Sequence, residues 1–335
     1  MSVIVPAEWA PHRAMWLGFP SHEDLWQEDL AQAQEEVAAL ARALAGPGRE
    51  QVKLMTGTPE GEATARRLLG DVAGVEIVPG RFGDIWLRDT GPIFTKGAAG
   101  DEARGFVFNG WGGKYLLDHD DEVAEQIATA SRTPLVMQNY ILEGGAVDHD
   151  GEGTILTTGQ CLLNENRNHG WTQAIAEAAL AESLGARKVI WLGEGLANDH
   201  TDGHVDNLAR FVAPGVVVCP IAYGRGDVNA DAYDAAARVL AESTDAAGRQ
   251  LKVVRIPSPG WIDNGEGRAA PASHMNFIIA NGAVIMPTYK EGQAAELALQ
   301  GLKTVFPDRE VIGLPSNAIL SGGGSFHCIT QQEPA

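Results

Sequence analysis

The chain has 335 residues and a formal net charge of −19, from 25 basic and 44 acidic side chains. This excess of negative charge argues against nucleic acid or an anionic membrane surface as a partner, and it is compatible with a cationic substrate. No apolar stretch approaches the roughly 18–20 residues that a membrane span requires. The length would allow two domains, but no linker or low-complexity segment divides the sequence, so we expect one domain over residues 1–335.

In chain order, the predicted strands and helices follow a recurring pattern. Apolar residues at 3.6-residue spacing, or alanine-rich composition, predict helices over 28–45, 59–69, 121–130, 172–183, 230–246 and 293–303. Strands are predicted over 15–19, 51–55, 92–95, 105–108, 135–137, 155–158, 188–192, 205–212, 216–219, 251–256, 276–280, 283–286 and 310–312. The order strand, strand, helix, strand recurs about five times at a spacing of roughly 60–75 residues, which is typical of stacked or radial repeats. A generic α/β sandwich is the alternative.

The cysteines and the N-terminal segment predict a cytoplasmic protein. Cys161, Cys219 and Cys328 show no CxxC or similar metal-binding spacing, and an odd count without a disulfide framework suggests a reducing compartment. The N-terminal segment has no basic region, and its apolar run is too short for a signal peptide. Cys161 and Cys219 lie beside apolar runs, so both are predicted to be core residues.

Cys328 is the candidate nucleophile. It follows three successive glycines, 322–324, whose backbone can adopt positive φ and approach a ligand closely. A thiol presented beside a glycine-lined space has the access that thiolate chemistry needs. From this segment alone, a surface glycine loop followed by a buried core cysteine remains the alternative.

Polar residues cluster at three further points. Asp89 lies in the segment 83–92, just ahead of a predicted strand, where a solvated turn would also explain it. Glu143 precedes two glycines, and a cap would explain it equally well. His204 and Asp206 lie in the densest polar cluster, 199–207, and on a strand residues at i and i+2 point to one side. A surface loop is the ordinary alternative for this cluster.

A metal site is a further alternative for the segment 202–206. Its sequence, Asp-Gly-His-Val-Asp, resembles the Asp-Ala-His-x-Asp ligand run of manganese ureohydrolases. Those enzymes need additional aspartate-rich runs, and the sequence contains none. Because ligand number matters so much for a metal site, we expect no metal here.

Taken together, these residues and several ordered motifs identify a family resemblance. The chain resembles, essentially end to end, the agmatine deiminases of the guanidino-group-modifying (pentein) superfamily, in the Porphyromonas-type peptidylarginine deiminase family. The matching runs are 6–12, 84–92, 142–145, 162–168, 201–207 and 327–332. The resemblance implies a five-fold pseudosymmetric α/β propeller of ββαβ modules with its site at the central axis, in agreement with the repeat. It also suggests a homodimer or larger assembly.

The resemblance implies a catalytic set with no cofactor and no metal. Asp89 and Asp206 would accept paired N–H bonds from a planar guanidinium, and Cys328 would attack its carbon. His204 would protonate the departing ammonia and then take a proton from the attacking water. Glu143 would hold and charge the His204 ring. The implied reaction converts agmatine to N-carbamoylputrescine and ammonia.

The sequence says less about the substrate tail, the part of the substrate beyond the guanidino group, than about the reaction. Agmatine carries an ammonium where arginine also has a carboxylate, so an acid or an aromatic face would suit it. We expect Asp199 to meet the distal ammonium and Trp86 to line the channel. Arg88 adjoins Asp89, and on an extended backbone it would point away from the pocket. Ser325, His274 and Arg13 depart from the family pattern. The resemblance therefore fixes the chemistry at the guanidino group but does not fix the rest of the substrate.

Three alternatives stay open from the sequence. The same chemistry could act on another guanidino compound or on a peptidyl arginine. A metal-dependent ureohydrolase would release urea instead of ammonia. A non-catalytic guanidine-binding module is the third.

Overall fold

A computed structural model describes residues 3–98, 100–289 and 292–335, and it contains five small sheets. Within the described residues the strands are β1 His12–Phe19, β2 Val52–Thr56, β3 Val75–Pro79, β4 Ile93–Gly97, β5 Gly100–Val107, β6 Leu135–Ile141, β7 Val147–His149, β8 Thr154–Thr158, β9 Lys188–Leu192, β10 Arg210–Ala213, β11 Val216–Ile221, β12 Lys252–Pro257, β13 Ile278–Ile279, β14 Ala283–Thr288, β15 Glu310–Pro315 and β16 Thr330–Pro334.

Six longer helices connect or cover these strands. They are α1 Leu30–Ala45, α2 Pro59–Leu69, α3 Val123–Ser131, α4 Gln173–Leu184, α5 Ala230–Glu242 and α6 Gln293–Val305. Shorter helical turns lie at Glu23–Trp26, Gln27–Asp29, Leu87–Thr90, Gly110–Gly113, Asp120–Glu122, Gly144–Ala146, Gly159–Leu162, Val205–Asn207 and Asn317–Ser321. Among the helices in the described ranges, none combines the length and the apolar character needed to cross a membrane.

Each sheet repeats one topology. In β4-β5-β6, β7-β8-β9, β10-β11-β12 and β13-β14-β15 the first two strands are antiparallel and the third is parallel to the second. A helix lies in the crossover between the parallel strands in each case. The middle strands β8, β11 and β14 are buried along most or all of their length, because helices and neighbouring modules cover both faces, whereas β5 is only partly buried. The predicted ββαβ repeat and five-module α/β propeller are confirmed.

The fifth module joins the two ends of the chain. Its sheet has the order β16-β1-β2-β3, with β16 antiparallel to β1 and with Trp16 paired to Gln331. The backbone N–H of Gly18 also donates to the carbonyl of Ile329 at 3.0 Å. The propeller is therefore closed by residues from both termini, and this closure fixes the segment that carries Cys328.

Local sequence signals set the helix ends. Thr58 caps α2 by accepting a hydrogen bond from the N–H of Gly61, and Pro59 occupies the first helical position. Thr172 caps α4 in the same way, and Gly185 ends that helix with a φ of 73°, a conformation that favours glycine. All six predicted helices are confirmed, with ends that differ by a few residues.

One predicted strand is wrong in part, and three strands were not predicted. The strand expected over 205–212 begins only at Arg210, because Val205–Asn207 forms a 3₁₀ turn. The hydroxyl of Thr201 accepts the backbone N–H of His204 at 3.1 Å and so favours the turn. The strands β3, β7 and β16 were missed.

Candidate active site

The five predicted catalytic residues lie at the ends of elements from different modules. Asp89 belongs to the short helix Leu87–Thr90, while Glu143 directly precedes the turn Gly144–Ala146. His204 and Asp206 lie at and inside the turn Val205–Asn207, and Cys328 lies just before β16. All five are at most 5% exposed. The structure therefore brings them together from distant parts of the sequence into the interior.

Close distances connect these side chains. The Nδ1 atom of His204 lies 3.7 Å from Oδ1 of Asp89, and Sγ of Cys328 lies 3.7 Å from Oδ2 of Asp206. A carboxylate oxygen of Glu143 lies within 4.8 Å of a ring nitrogen of His204. The thiol, the imidazole and the carboxylates are thus neighbours, as covalent chemistry on a bound cation requires.

Gly145 leaves the space in which three of these groups converge. A Cβ atom at this position would lie 2.5 Å from Nδ1 of His204 and 2.9 Å from Oδ1 of Asp89. It would also lie 3.2 Å from Oδ2 of Asp206. The N–H of Gly145 donates to Oδ1 of Asp89 at 2.9 Å. Glycine therefore permits both the close approach and a backbone contact that holds Asp89.

Asp206 is held by His327, a residue to which the sequence analysis assigned no role. The Nδ1 atom of His327 lies 2.8 Å from Oδ2 of Asp206, and its Nε2 atom lies 3.3 Å from Oε2 of Glu8. Burial opposes the charge of Asp206, but the hydrogen bond and charge of His327 outweigh it and lower the pKa of this carboxyl. Its Oδ1 is buried and has no hydrogen-bond partner in the described parts of the chain.

Asp89 is oriented by an indole. The Nε1 atom of Trp111 donates to Oδ2 of Asp89 at 2.9 Å. Burial raises the pKa of this carboxyl, the charge of His204 opposes the shift, and the charges of Asp206 and Glu143 add to it. Two carboxylates side by side in a buried site are a strong attractor for a cation.

His204 is completely buried, and neither ring nitrogen has a hydrogen-bond partner among the residues that the structure describes. Burial opposes its charge, but Asp89, Cys161 and Glu143 outweigh burial and raise the pKa of the imidazole. Oε1 of Glu143 accepts from Nε of Arg167 at 2.5 Å. Arg167 therefore fixes the carboxylate that was predicted to hold His204.

Asn276 holds the candidate nucleophile from two sides. Its Nδ2 donates to Sγ of Cys328 at 3.2 Å, and its Oδ1 accepts from the backbone N–H groups of Cys328 and His327. Burial raises the pKa of the Cys328 thiol well above its usual range, and the charges of Asp206 and Asp89 add to that shift. No sequence signal marked Asn276, which lies at the start of a strand predicted for other reasons.

A cavity of about 340 Å³ leads to Cys328, and aromatic residues form much of its wall. Trp26, Trp86 and Trp111 line it, with the glycine segment 322–324 on another side. A Cβ at Gly324 would lie 2.5 Å from the Trp86 ring, so the glycines allow the loop to pack flat against the indole. The predicted position of Trp86 in the channel agrees with this geometry.

Comparisons with known proteins decide the family. A family model described as Porphyromonas-type peptidyl-arginine deiminase matches residues 4–334. The agmatine deiminase of Pseudomonas aeruginosa (strain LESB58) is 39% identical over 356 aligned positions, which cover 99% of this chain and 95% of that protein. The chain belongs to the Porphyromonas-type peptidyl-arginine deiminase family.

Solved structures of family members share the whole fold. The agmatine deiminase of Enterococcus faecalis superposes with a TM-score of 0.92 at 32% identity, covering 99% of this chain and 96% of that chain. A cysteine-to-serine variant of the C. jejuni agmatine deiminase, solved with substrate bound, has a TM-score of 0.88 at 28% identity. That match covers 99% of this chain and 96% of that chain. The resemblance read from the sequence is confirmed.

The structure places Arg88 away from the cavity, as predicted, but for a different reason. Residues Leu87–Thr90 form a helical turn and are not extended. The Nη1 atom of Arg88 donates to Oε1 of Gln331 at 2.8 Å and to Oε1 of Gln332 at 2.7 Å. The guanidinium of Arg88 is therefore bound by side chains of strand β16 and does not face the cavity.

The expected position of Asp199 needs correction, because its side chain does not line the cavity that holds Cys328. Its Oδ1 accepts from the backbone N–H and the hydroxyl of Thr201, at 2.9 and 2.6 Å. Its Oδ2 accepts from Asn207 at 3.5 Å. Asp199 thus closes the turn before His204, while Glu28 and Asp29 supply carboxylates along the cavity wall.

The three residues that were expected to depart from the family pattern lie outside this cavity, with Ser325 and His274 buried and Arg13 exposed. The hydroxyl of Ser325 pairs with that of Ser316 at 2.8 Å. The Nδ1 atom of His274 lies 2.8 Å from the carbonyl of Pro257, and burial lowers the pKa of this imidazole to about 4. Arg13 pairs with Glu333 on β16. None of the three side chains lines the wall of the cavity.

Proposed function

We propose that the protein hydrolyses the guanidino group of agmatine, with N-carbamoylputrescine and ammonia as products. The observation that carries the proposal is the convergence of Cys328, His204, Asp89 and Asp206 at the end of a tryptophan-lined cavity. Relatives named agmatine deiminase, which match almost the full length of the chain, support the choice of substrate.

The two aspartates bind the guanidinium. A guanidinium is planar and always charged, with five N–H donors arranged in a fork. Asp206 offers the unpartnered Oδ1, and Asp89 is held in place by Trp111 and by the N–H of Gly145. Charge-assisted bonds to both carboxylates fix the plane of the substrate so that its central carbon faces Sγ of Cys328.

The covalent step replaces one C–N bond with a C–S bond. The thiolate of Cys328 adds to the guanidinium carbon, and His204, as imidazolium, gives its proton to the departing nitrogen, which leaves as ammonia. The remaining amidino thioether is cationic. His204 then takes a proton from a water molecule, whose oxygen adds to the same carbon. Collapse of this adduct expels the thiolate and releases the hydroxyl proton, which the ammonia takes up in solvent, so guanidinium and water become ureido product and ammonium.

His204 has the surroundings that this role requires. The carboxylates of Asp89 and Glu143 stabilise its charged form, so the imidazolium is present before the first proton transfer. Arg167 holds Glu143 on the side away from the ring, which keeps that carboxylate in place. Glu143 is thus the residue that orients and charges His204 in this mechanism.

The tail of the cavity favours agmatine over arginine. Among the described residues that line it, none is lysine or arginine, whereas Glu28, Asp29 and Asp84 are present. The carboxylate of arginine would find no cation there, and the ammonium of agmatine would find acids and aromatic faces. We propose Glu28 and Asp29 as partners of the distal ammonium, in place of Asp199.

A panel of guanidino substrates tests this function. We expect kcat/KM for agmatine to exceed that for arginine by about 100-fold or more, since an unpaired carboxylate in an acidic cavity costs several kcal/mol. The double change Glu28→Gln and Asp29→Asn should reduce turnover of agmatine more than that of a neutral alkylguanidine of equal length. Released ammonia and ureido product would be measured together. Equal turnover of arginine, or release of urea, would contradict the proposal.

The titration of Cys328 gives a second test, made on the enzyme without substrate. Because burial, Asp206 and Asp89 raise the pKa of this thiol, it is protonated at neutral pH, and the bound cationic substrate promotes loss of the proton to solvent, which gives the thiolate that attacks. Alkylation of Cys328 by iodoacetamide should therefore rise with pH along a curve whose midpoint lies above about 8.5, the ordinary value for cysteine. Mass spectrometry of the Cys328 peptide measures the rate.

The matched control uses two aspartates in the same polar segment. Asp206→Asn should lower the apparent pKa of Cys328, whereas Asp199→Asn should leave it near the value of the unmodified protein. A midpoint at or below the ordinary value of about 8.5 in the unmodified protein would instead show a preformed thiolate.

A further inference from the structure

A group of three potential metal ligands joins two of the proposed catalytic residues to a third side chain that the mechanism does not use. A carboxylate oxygen of Glu143, the sulfur of Cys161 and a ring nitrogen of His204 all lie within 4.8 Å of one another, and all three residues are buried. Carboxylate oxygen, thiolate sulfur and imidazole nitrogen are the donor types that Zn²⁺ takes in proteins. We propose that Glu143, Cys161 and His204 form a site for Zn²⁺ or another thiophilic divalent cation, and that the bound ion inhibits the enzyme.

The unpartnered nitrogens of His204 point independently to a missing ligand. Buried polar atoms are nearly always hydrogen-bonded, and an exception needs an explanation. His204 is 0% exposed, and neither ring nitrogen has a hydrogen bond of ordinary geometry in the described ranges; the side chains that face it are those of Asp89, Cys161 and Glu143. Cys161 is a free thiol at 1% exposure. A cation bound between them would satisfy one imidazole nitrogen and the sulfur at once.

Neighbouring residues already hold two of the ligands from behind. Arg167 donates to Oε1 of Glu143, which leaves the other oxygen for an ion, and Asp89 faces Nδ1 of His204, which leaves Nε2. Metal-binding carboxylates and imidazoles usually carry such outer partners, which fix their orientation.

The spacing is close to that of a zinc site. Ordinary zinc bond lengths in a tetrahedron put ligand atoms about 3.4–3.6 Å apart, so the group would have to contract by about 1 Å. A water molecule would be the fourth ligand of the zinc ion. Binding would release two protons to solvent, one from the Cys161 thiol and one from the His204 imidazolium, because the thiolate and the neutral imidazole are the ligands.

This site differs from the ureohydrolase alternative. Asp206, which that reading would make a ligand, is engaged by His327 and lies outside the group. The proposed ion is expected to inhibit, because the proposed mechanism needs the ring nitrogens of His204 for proton transfer. It occupies His204, and the expected inhibition rests on the proposed function of that residue. Binding of the ion does not depend on that function and can be measured separately.

Cobalt provides the binding test, because a thiolate bound to Co²⁺ gives a charge-transfer absorption band. Chelator-treated protein would be titrated with Co²⁺, and Zn²⁺ would then displace it. We expect the band in the unmodified protein, in Cys328→Ser and in Cys219→Ser. Cys219 is the matched control, a buried thiol in another core cluster. Cys161→Ser should lose the band and bind Zn²⁺ about 100-fold more weakly.

Two results would overturn the site: no thiolate band in the unmodified protein, or a band lost in Cys328→Ser but kept in Cys161→Ser. If Cys161→Ser fails to fold, X-ray absorption of the zinc complex of the double variant Cys219→Ser/Cys328→Ser decides, since Cys161 is then the remaining thiol. A zinc coordination shell with one sulfur and with nitrogen and oxygen ligands would support the site. A coordination shell without sulfur would refute it.

The activity arm uses Zn²⁺ with the unmodified enzyme and with Cys219→Ser. Both should be inhibited and should recover when a chelator is added, and removal of metal alone should leave the rate unchanged or higher. Zinc that binds at Cys161 without inhibiting would overturn the inhibitory role. A protein that binds zinc at this site but turns over no guanidino compound would instead refute the proposed function and leave the site standing.

Discussion

Replacing Cys328 with alanine is expected to lower kcat for agmatine by about 10⁴-fold or more, because no covalent adduct can then form. The two carboxylates and His204 remain, so the variant should still bind agmatine, with a Kd that calorimetry can measure. The fold should be retained, since the change removes a single sulfur atom next to the open cavity. The unmodified enzyme, quenched during turnover, should carry an amidino group on the Cys328 peptide.

Cys219→Ala is the matched control for this variant. Cys219 is fully buried in the core cluster around β11 and lies outside the cavity. Its loss should reduce stability by about 1 kcal/mol through a small void and should leave kcat unchanged. If Cys328→Ala turned over agmatine as fast as the unmodified enzyme, or if the adduct formed on another residue, covalent catalysis by Cys328 would be refuted.

Features that depend on local sequence could be predicted from the sequence. The helices follow from periodic apolar residues and from caps such as Thr58 and Thr172, which act within a few residues of themselves. The ββαβ repeat could be predicted from the order of the predicted strands and helices along the chain. The family motifs then led to the five site residues, since each lies beside glycines or polar residues that a simple core element would not contain.

Contacts between distant residues could not be predicted in this way. The strand β16 has the sequence Thr-Gln-Gln-Glu-Pro, which is polar, yet every residue of it is buried because it closes the propeller against β1. Cys161 was correctly expected to be buried, but its neighbours Glu143 and His204 come from other modules.

The segment 199–207 shows how a wrong local structure can still lead to the right residues. His204 and Asp206 were grouped because a strand would point them to one side, whereas they lie at a 3₁₀ turn. They come together because Asp89 and Gly145 lie against both of them. Asp199 was expected at the distal ammonium because it is an acid close to the site in sequence, but its carboxylate accepts hydrogen bonds within the turn.

Gly145→Ala is expected to reduce kcat/KM by about 100-fold or more, because a displacement near 1 Å at reacting groups has effects of that size. The added methyl would lie 2.5 Å from Nδ1 of His204, in the space shared with Asp89 and Asp206. Gly145 does not have positive φ, so its backbone can accept alanine. The loss should therefore come from displaced site residues, with stability lowered by about 1–3 kcal/mol.

Two other glycines separate this effect from a general effect of added methyl groups. Gly193 has nothing within 4 Å of the added Cβ position, so Gly193→Ala should retain both activity and Tm. At Gly144 the methyl would lie 2.2 Å from the backbone carbonyl of Arg88, and Gly144→Ala should lose stability more than Gly145→Ala does. Kinetics and thermal unfolding would be measured on all three variants. Near-normal kcat/KM in Gly145→Ala would show that the reacting groups do not converge on this space, and the roles given to His204 and Asp89 would then fail.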